Sequence, residues 1–216
     1  MNDDVNLNTG SELINYSGDD AAKKQYTIVV SGLGRSGTSM LAKMIAAGGV
    51  PMGPSNNPIH EDIGISTLIE DKKKWALRRE ISLRNKKYNV WGFKRPLIVR
   101  HHKLLDSTLR NPRYVIIFRD PLAFASRVKL SRGLTIRRGL KMYRNQSEII
   151  IDFVQKSESP ILLLSYEKTL GNPEKAVDTL QRFCGIEMGR RPDMVNQIRP
   201  NDNDYRARTT RKNSQD

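Results

Sequence analysis

Apolar and polar positions along the chain sort into short extended runs separated by longer helical ones. Tyr26-Thr27-Ile28-Val29-Val30 is β-branched and aromatic and runs into a glycine-rich turn, which predicts a buried strand at 26–30. Further strands are expected at 88–93, 114–118 and 161–164. The run Tyr114-Val115-Ile116-Ile117-Phe118 does not alternate, as a strand covered on both faces of a sheet should not. Stretches between the strands predict helices over 38–47, 63–84, 97–109, 122–130, 135–155 and 173–184. In 63–84, Ile65, Leu68, Ile69, Trp75, Leu77 and Ile81 fit one face, while Lys72, Lys73, Lys74, Arg78 and Arg79 occupy the other. Pro173 and Glu174 open the last helix and Gly185 follows its end, each at a preferred position.

Strands alternating with helices predict an α/β domain, a three-layer α/β/α arrangement around a central parallel β-sheet. Residues 1–24 are Asn-, Asp-, Ser- and Gly-rich and read as a flexible N-terminal arm, 25–189 as the domain, and 190–216 as a basic, irregular C-terminal tail. Ligands of such sheets sit beyond the carboxyl ends of the strands. Arg35, Lys94 and Arg119 each fall just after a predicted strand, so the pattern sets three cations on one rim.

Charge sharpens this picture. The 216-residue chain carries 37 Lys and Arg against 23 Asp and Glu, a formal net charge of +14. Its isoelectric point is near 10.0 and its mean hydropathy −0.57. Such a balance attracts polyanions: nucleic acid, an anionic nucleotide, an acidic glycan or an acidic membrane surface. The single cysteine, Cys184, excludes an internal disulfide and a cysteine-based zinc site. No stretch is apolar for long enough to span a bilayer, and the acidic N-terminus is unlike a signal peptide, so a cytoplasmic protein is expected.

The glycine turn carries the first chemical signal. A strand, a glycine loop and a helix N-terminus form an anion site, because backbone N–H groups converge there and the helix dipole adds positive charge. Gly32–Ser39 has the G-x-x-x-x-G-K-[ST] spacing of a P-loop, but Thr38 stands where a nucleotide-hydrolysing loop has its lysine. That lysine reaches the β- and γ-phosphates, so ordinary ATP or GTP hydrolysis is poorly supported. The cation sits earlier, at Arg35.

Gly34-Arg35-Ser36-Gly37-Thr38-Ser39 resembles the 5′-phosphosulfate loop of sulfotransferases that use PAPS (3′-phosphoadenosine 5′-phosphosulfate). Arg119-Asp120-Pro121-Leu122-Ala123-Phe124-Ala125-Ser126-Arg127 resembles that family's 3′-phosphate segment, an arginine ending a strand and a serine in the next helix. The serine usually stands eight residues after the arginine; here Ser126 is at seven and Arg127 at eight, and either could serve. Asn57-Pro58 with Glu61-Asp62, and Tyr166-Glu167 with Leu170, Asn172-Pro173 and Phe183-Cys184-Gly185, resemble two further family segments, His60 standing where an aromatic is usual. The resemblance covers about residues 26–187. It implies a P-loop-type fold, PAPS as donor, PAP (the 3′,5′-bisphosphate) as product and no metal.

Sulfuryl transfer needs a base for the acceptor's proton and cations for the charge building on the bridging oxygen. The resemblance points to Glu61 as base, with His60 as the other candidate, and to Lys94 at the sulfate or its leaving oxygen. The expected enzyme sulfates a hydroxyl or amine of a small-molecule, lipid or glycan acceptor. A P-loop kinase-like enzyme and a non-catalytic polyanion or nucleic-acid binder are the alternatives.

Overall fold

The computed structural model describes residues 9–54 and 61–198. Five strands form one sheet in the order β1-β5-β4-β2-β3. They are β1 (Ser11–Ile14), β2 (Tyr26–Gly32), β3 (Val90–Lys94), β4 (Pro112–Phe118) and β5 (Ile161–Ser165). The last four run parallel, and β1 pairs antiparallel with β5 at the edge, Ser11 opposite Leu164 and Ile14 opposite Ile161.

Helices cover both faces. They run in chain order as α1 (Gly18–Ala22), α2 (Thr38–Ala47), α3 (Ile63–Glu70), α4 (Lys74–Lys87), α5 (His102–Thr108), α6 (Pro121–Arg132), α7 (Ile136–Lys156), α8 (Tyr166–Gly171), α9 (Pro173–Cys184) and α10 (Arg191–Val195). Alternation within each strand divides the core. Val29, Trp91, Phe93, Tyr114, Ile116 and Ile161 pack with residues of α3 to α7. Ile28, Val30, Val115, Ile117, Leu162 and Leu164 point the other way, onto α2, α9 and α10. Both faces are apolar because both are buried, which is why these strands do not alternate in sequence. The architecture is the expected three-layer α/β/α arrangement, with one antiparallel edge strand added.

The structure departs from expectation at three places. Within the segment read as a flexible arm, Ser11–Ile14 is a strand and Gly18–Ala22 a helix closed by a Ser17–Asp20 capping box. The helix expected over 63–84 is two helices, broken where Lys72 takes a φ of 55°. The tail read as irregular from 190 begins with α10, whose Met194 is fully buried against the α2–α9 layer.

Arg113 shows why the N-terminal segment is ordered. It is only 2% exposed, donates to the carbonyls of Phe183 (2.8 Å) and Asp20, and lies 3.6 Å from the centroid of the Tyr26 ring. A buried guanidinium must find acceptors, and the chain before β2 supplies the carbonyls of Asp20 and Lys23.

Candidate functional site

The loops that follow β2, β3 and β4 meet at the carboxyl edge of the sheet. β2 ends at Gly32, where a Cβ would stand 2.6 Å from the carbonyl oxygen of Ile117, so only glycine fits. Ser36 then ties the turn together: its backbone N–H and its hydroxyl both donate to the carbonyl of Leu33, at 3.2 and 2.7 Å. The expected donor-binding hydroxyl of Ser36 is thus fully buried and serves the loop itself. Arg35 adopts a φ of 74°, a left-handed conformation uncommon for a side-chain-bearing residue and concentrated at functional sites.

Gly37 is the N-cap of α2, with φ 104° and no side-chain cap. Helices α1, α3, α6, α7, α8 and α9 are each capped by an Asp, Ser, Thr or Asn side chain. The first turn of α2, which holds Thr38 and Ser39, contains no acid either. Its N–H groups and positive dipole end suit an anion from outside the chain.

Cations gather around that end. Lys94 closes β3, is 1% exposed, and places its ammonium 3.3 Å from the Ser39 hydroxyl and 3.0 Å from Oε1 of Glu61. A lysine from a neighbouring strand therefore reaches the loop that has threonine at its own lysine position. Burial pushes the Lys94 ammonium below its ordinary pKa; Glu61 opposes the shift and Arg95 adds to it. Arg95 donates to Oε2 of Glu61 at 2.5 Å and forks onto Glu70 of α3 at 2.8 and 3.1 Å. Glu61, itself 8% exposed, is held on both oxygens. Beside it Asp62 caps α3 through the N–H of Ile65 and accepts from Arg84 at 2.5 Å.

Arg119, just past β4, donates to the carbonyl of Arg35 at 3.0 Å and lies 4.5 Å from the centroid of the Tyr166 ring. Glu167 sits 3.9 Å from its Nε and accepts the N–H of Asp120 at 3.1 Å. Tyr166 also closes on the loop, since a Cβ on Gly37 would come 2.5 Å from its ring.

The structure thus brings Ser39, Lys94 and Glu61 into contact with one another, and separately Arg119 with the Arg35 carbonyl. Ser126 and Arg127 lie half-buried on α6. His60 falls outside the described residues. Gln146 went unread in the sequence. It reaches from α7 to accept the N–H of Gly34 at 2.9 Å, a contact 112 positions away that no local pattern signals. Arg95 and Glu70 were likewise missed; only the adjacency of Arg95 to Lys94 hinted at the network.

A cleft of about 570 Å³ opens beside Glu61, lined by Pro54, Ile63, Leu68, Glu80 and Arg84. Among the described residues, no group of three or more His, Cys, Asp or Glu side chains could hold a metal ion, and no helix is long and apolar enough to cross a membrane.

A sequence profile of the "Sulfotransferase family" matches residues 66–190. The match begins after both the glycine loop and Glu61. Among solved structures, the chain resembles the sulfotransferase domain of the curacin biosynthetic pathway, with a TM-score of 0.58, 14% identity, and 82% of this chain and 78% of that one covered. It resembles equally the sulfotransferase domain of the Synechococcus PCC 7002 olefin synthase, with a TM-score of 0.58, 15% identity, and coverage of 83% and 79%. No curated protein matches the chain. At these identities the structural likeness speaks for the fold alone.

Proposed function

The chain belongs to the sulfotransferase family, and from that premise we propose that its donor is PAPS and its acceptor a hydroxyl or amine of a small molecule, lipid or glycan. The observation that carries this is the uncapped N-terminus of α2 with cations bonded to its loop from two other strands: Lys94 on Ser39 and Arg119 on the Arg35 carbonyl. An anion with more than one charged group fits that arrangement better than a lone phosphate does. The Gly34–Ser39 backbone and the side chains of Arg35, Thr38 and Ser39 would hold the phosphosulfate. Arg119, with Ser126 or Arg127, would hold the 3′-phosphate.

When bound, PAPS supplies an electrophilic sulfuryl group with a phosphate as leaving group. Glu61 is assigned to the acceptor's proton. It accepts from Lys94 and Arg95, and it borders the apolar-lined cleft where an acceptor would enter. Lys94, bonded to both Glu61 and the loop, would donate to the negative charge that builds on the leaving oxygen. Arg95 fixes Glu61 in that position and is itself anchored on Glu70.

Calorimetric binding of PAP in metal-free buffer tests the donor site. Wild-type protein should bind it, and Arg35→Ala and Arg119→Ala should each weaken binding at least tenfold, the cost of removing one charge-assisted contact of about 1.5–3 kcal/mol. Absence of binding by the wild type, or binding indifferent to both substitutions, would overturn the donor assignment.

A further inference from the structure

The outward face of α4 has a composition that the donor site does not explain. Lys74, Trp75, Arg78, Arg79, Ser82, Leu83, Lys86 and Lys87 are all exposed, and they recur in adjacent pairs every four residues, which places them on one side of the helix. None is acidic. The inner side of the same helix is anchored by Leu77 and Ile81, both buried. Immediately before it, Lys72 and Lys73 extend the positive surface around the turn, with Asp71 paired to Lys73 at 3.0 Å.

Two large apolar side chains stand within this charge. Trp75 is 76% exposed and Leu83 is 54% exposed. They lie on one ridge with Arg79 and Lys87 between and beyond them, about 12 Å apart along the axis at 1.5 Å per residue. The Arg79 guanidinium lies 5.9 Å from the centroid of the Trp75 ring.

We propose that this face of α4 docks on an anionic lipid bilayer. A nucleic-acid duplex or an acidic glycan would satisfy the cations but leave Leu83 without an apolar partner. A bilayer satisfies both, because headgroups meet the Lys and Arg side chains while the indole and the leucine enter the interfacial region. The helix lies in the surface plane rather than crossing it. The flank of α4 beside this face contributes Glu80 and Arg84 to the cleft beside Glu61. The proposal stands independently of the donor assignment.

The two tryptophans make the test direct, since Trp91 is 1% exposed and Trp75 is not. The full chain is titrated with phosphatidylcholine vesicles, with and without phosphatidylglycerol, and followed by tryptophan emission and by flotation. Anionic vesicles should bind the protein and shift its emission to the blue; neutral vesicles and a short DNA duplex should leave the emission unchanged. Trp75→Phe should abolish the shift. Arg78→Ala with Arg79→Ala should weaken vesicle binding about thirtyfold at low salt, and both variants should melt where the wild type does, because the altered residues are exposed. Failure to float with anionic vesicles, or flotation without a Trp75-dependent shift, would overturn the proposal. So would a double variant that binds vesicles as well as the wild type.

Discussion

Replacing Glu61 by Gln turns the buried Lys94 pair into a buried lone cation. The ammonium and carboxylate oxygen are 3.0 Å apart, and the two side chains are 1% and 10% exposed. With the charge centres about 4 Å apart and an effective dielectric constant of about 20, their attraction is about 4 kcal/mol. Most of it offsets the desolvation of Lys94, so removing one partner should cost about 3 kcal/mol. Lys94→Met should cost less, because Arg95 still holds Glu61 at 2.5 Å. The double variant Glu61→Gln with Lys94→Met should lose less than the sum of the two. Urea unfolding at neutral pH, with unchanged slope, measures all three. The pH dependence adds a second check. Lys94 has its folded pKa below the ordinary 10.5, so the unfolded chain binds its proton more tightly and stability rises as pH climbs between the two values. Without Glu61 the folded pKa falls further, and the deficit of Glu61→Gln should shrink from pH 7 toward alkaline values. Strict additivity in the double variant, with a deficit independent of pH, would show that the ion pair does not govern this site.

Two further perturbations test the packing and the buried acids. Gly139→Ala would set a Cβ 2.8 Å from the Cα of Ala125, where α6 and α7 cross. Overpacking of about 1–3 kcal/mol should outweigh the gain of about 1 kcal/mol in helix propensity, so the urea midpoint should fall; a rise would show that the helices separate freely. Burial pushes the Cys184 thiol from 9.0 up to about 12 and raises the phenols of Tyr26 and Tyr114 above 10.0. Raised folded values favour the protonated native state, so this stability is complete below about pH 9 and is lost as pH climbs toward 12. Cys184 alone contributes about 4 kcal/mol of that decline between 9.0 and about 12. Alkaline unfolding of Cys184→Ala should accordingly be flatter over this range, although the variant starts less stable at neutral pH.

The sequence alone determined the layered α/β architecture. Parallel strands covered on both faces must be apolar at nearly every position, and 26–30, 114–118 and 161–164 could be read for that reason. The glycine loop was legible too, because Gly32 and Gly37 answer to local backbone demands that spacing displays. Arg35, Lys94 and Arg119 could be placed on one rim, since a residue just after a parallel strand always lies at the carboxyl edge. What each of them touches was decided by the tertiary structure. Lys94 reads as a surface lysine until β3 pairs with β2 and seats it between Glu61 and Ser39. The same holds for Gln146 on Gly34, Arg113 on Asp20 and Phe183, and the strand Ser11–Ile14. None of these has an apolar period of its own. Each forms because a buried polar group must find a partner, and that partner comes from a distant part of the chain that only folding brings within reach.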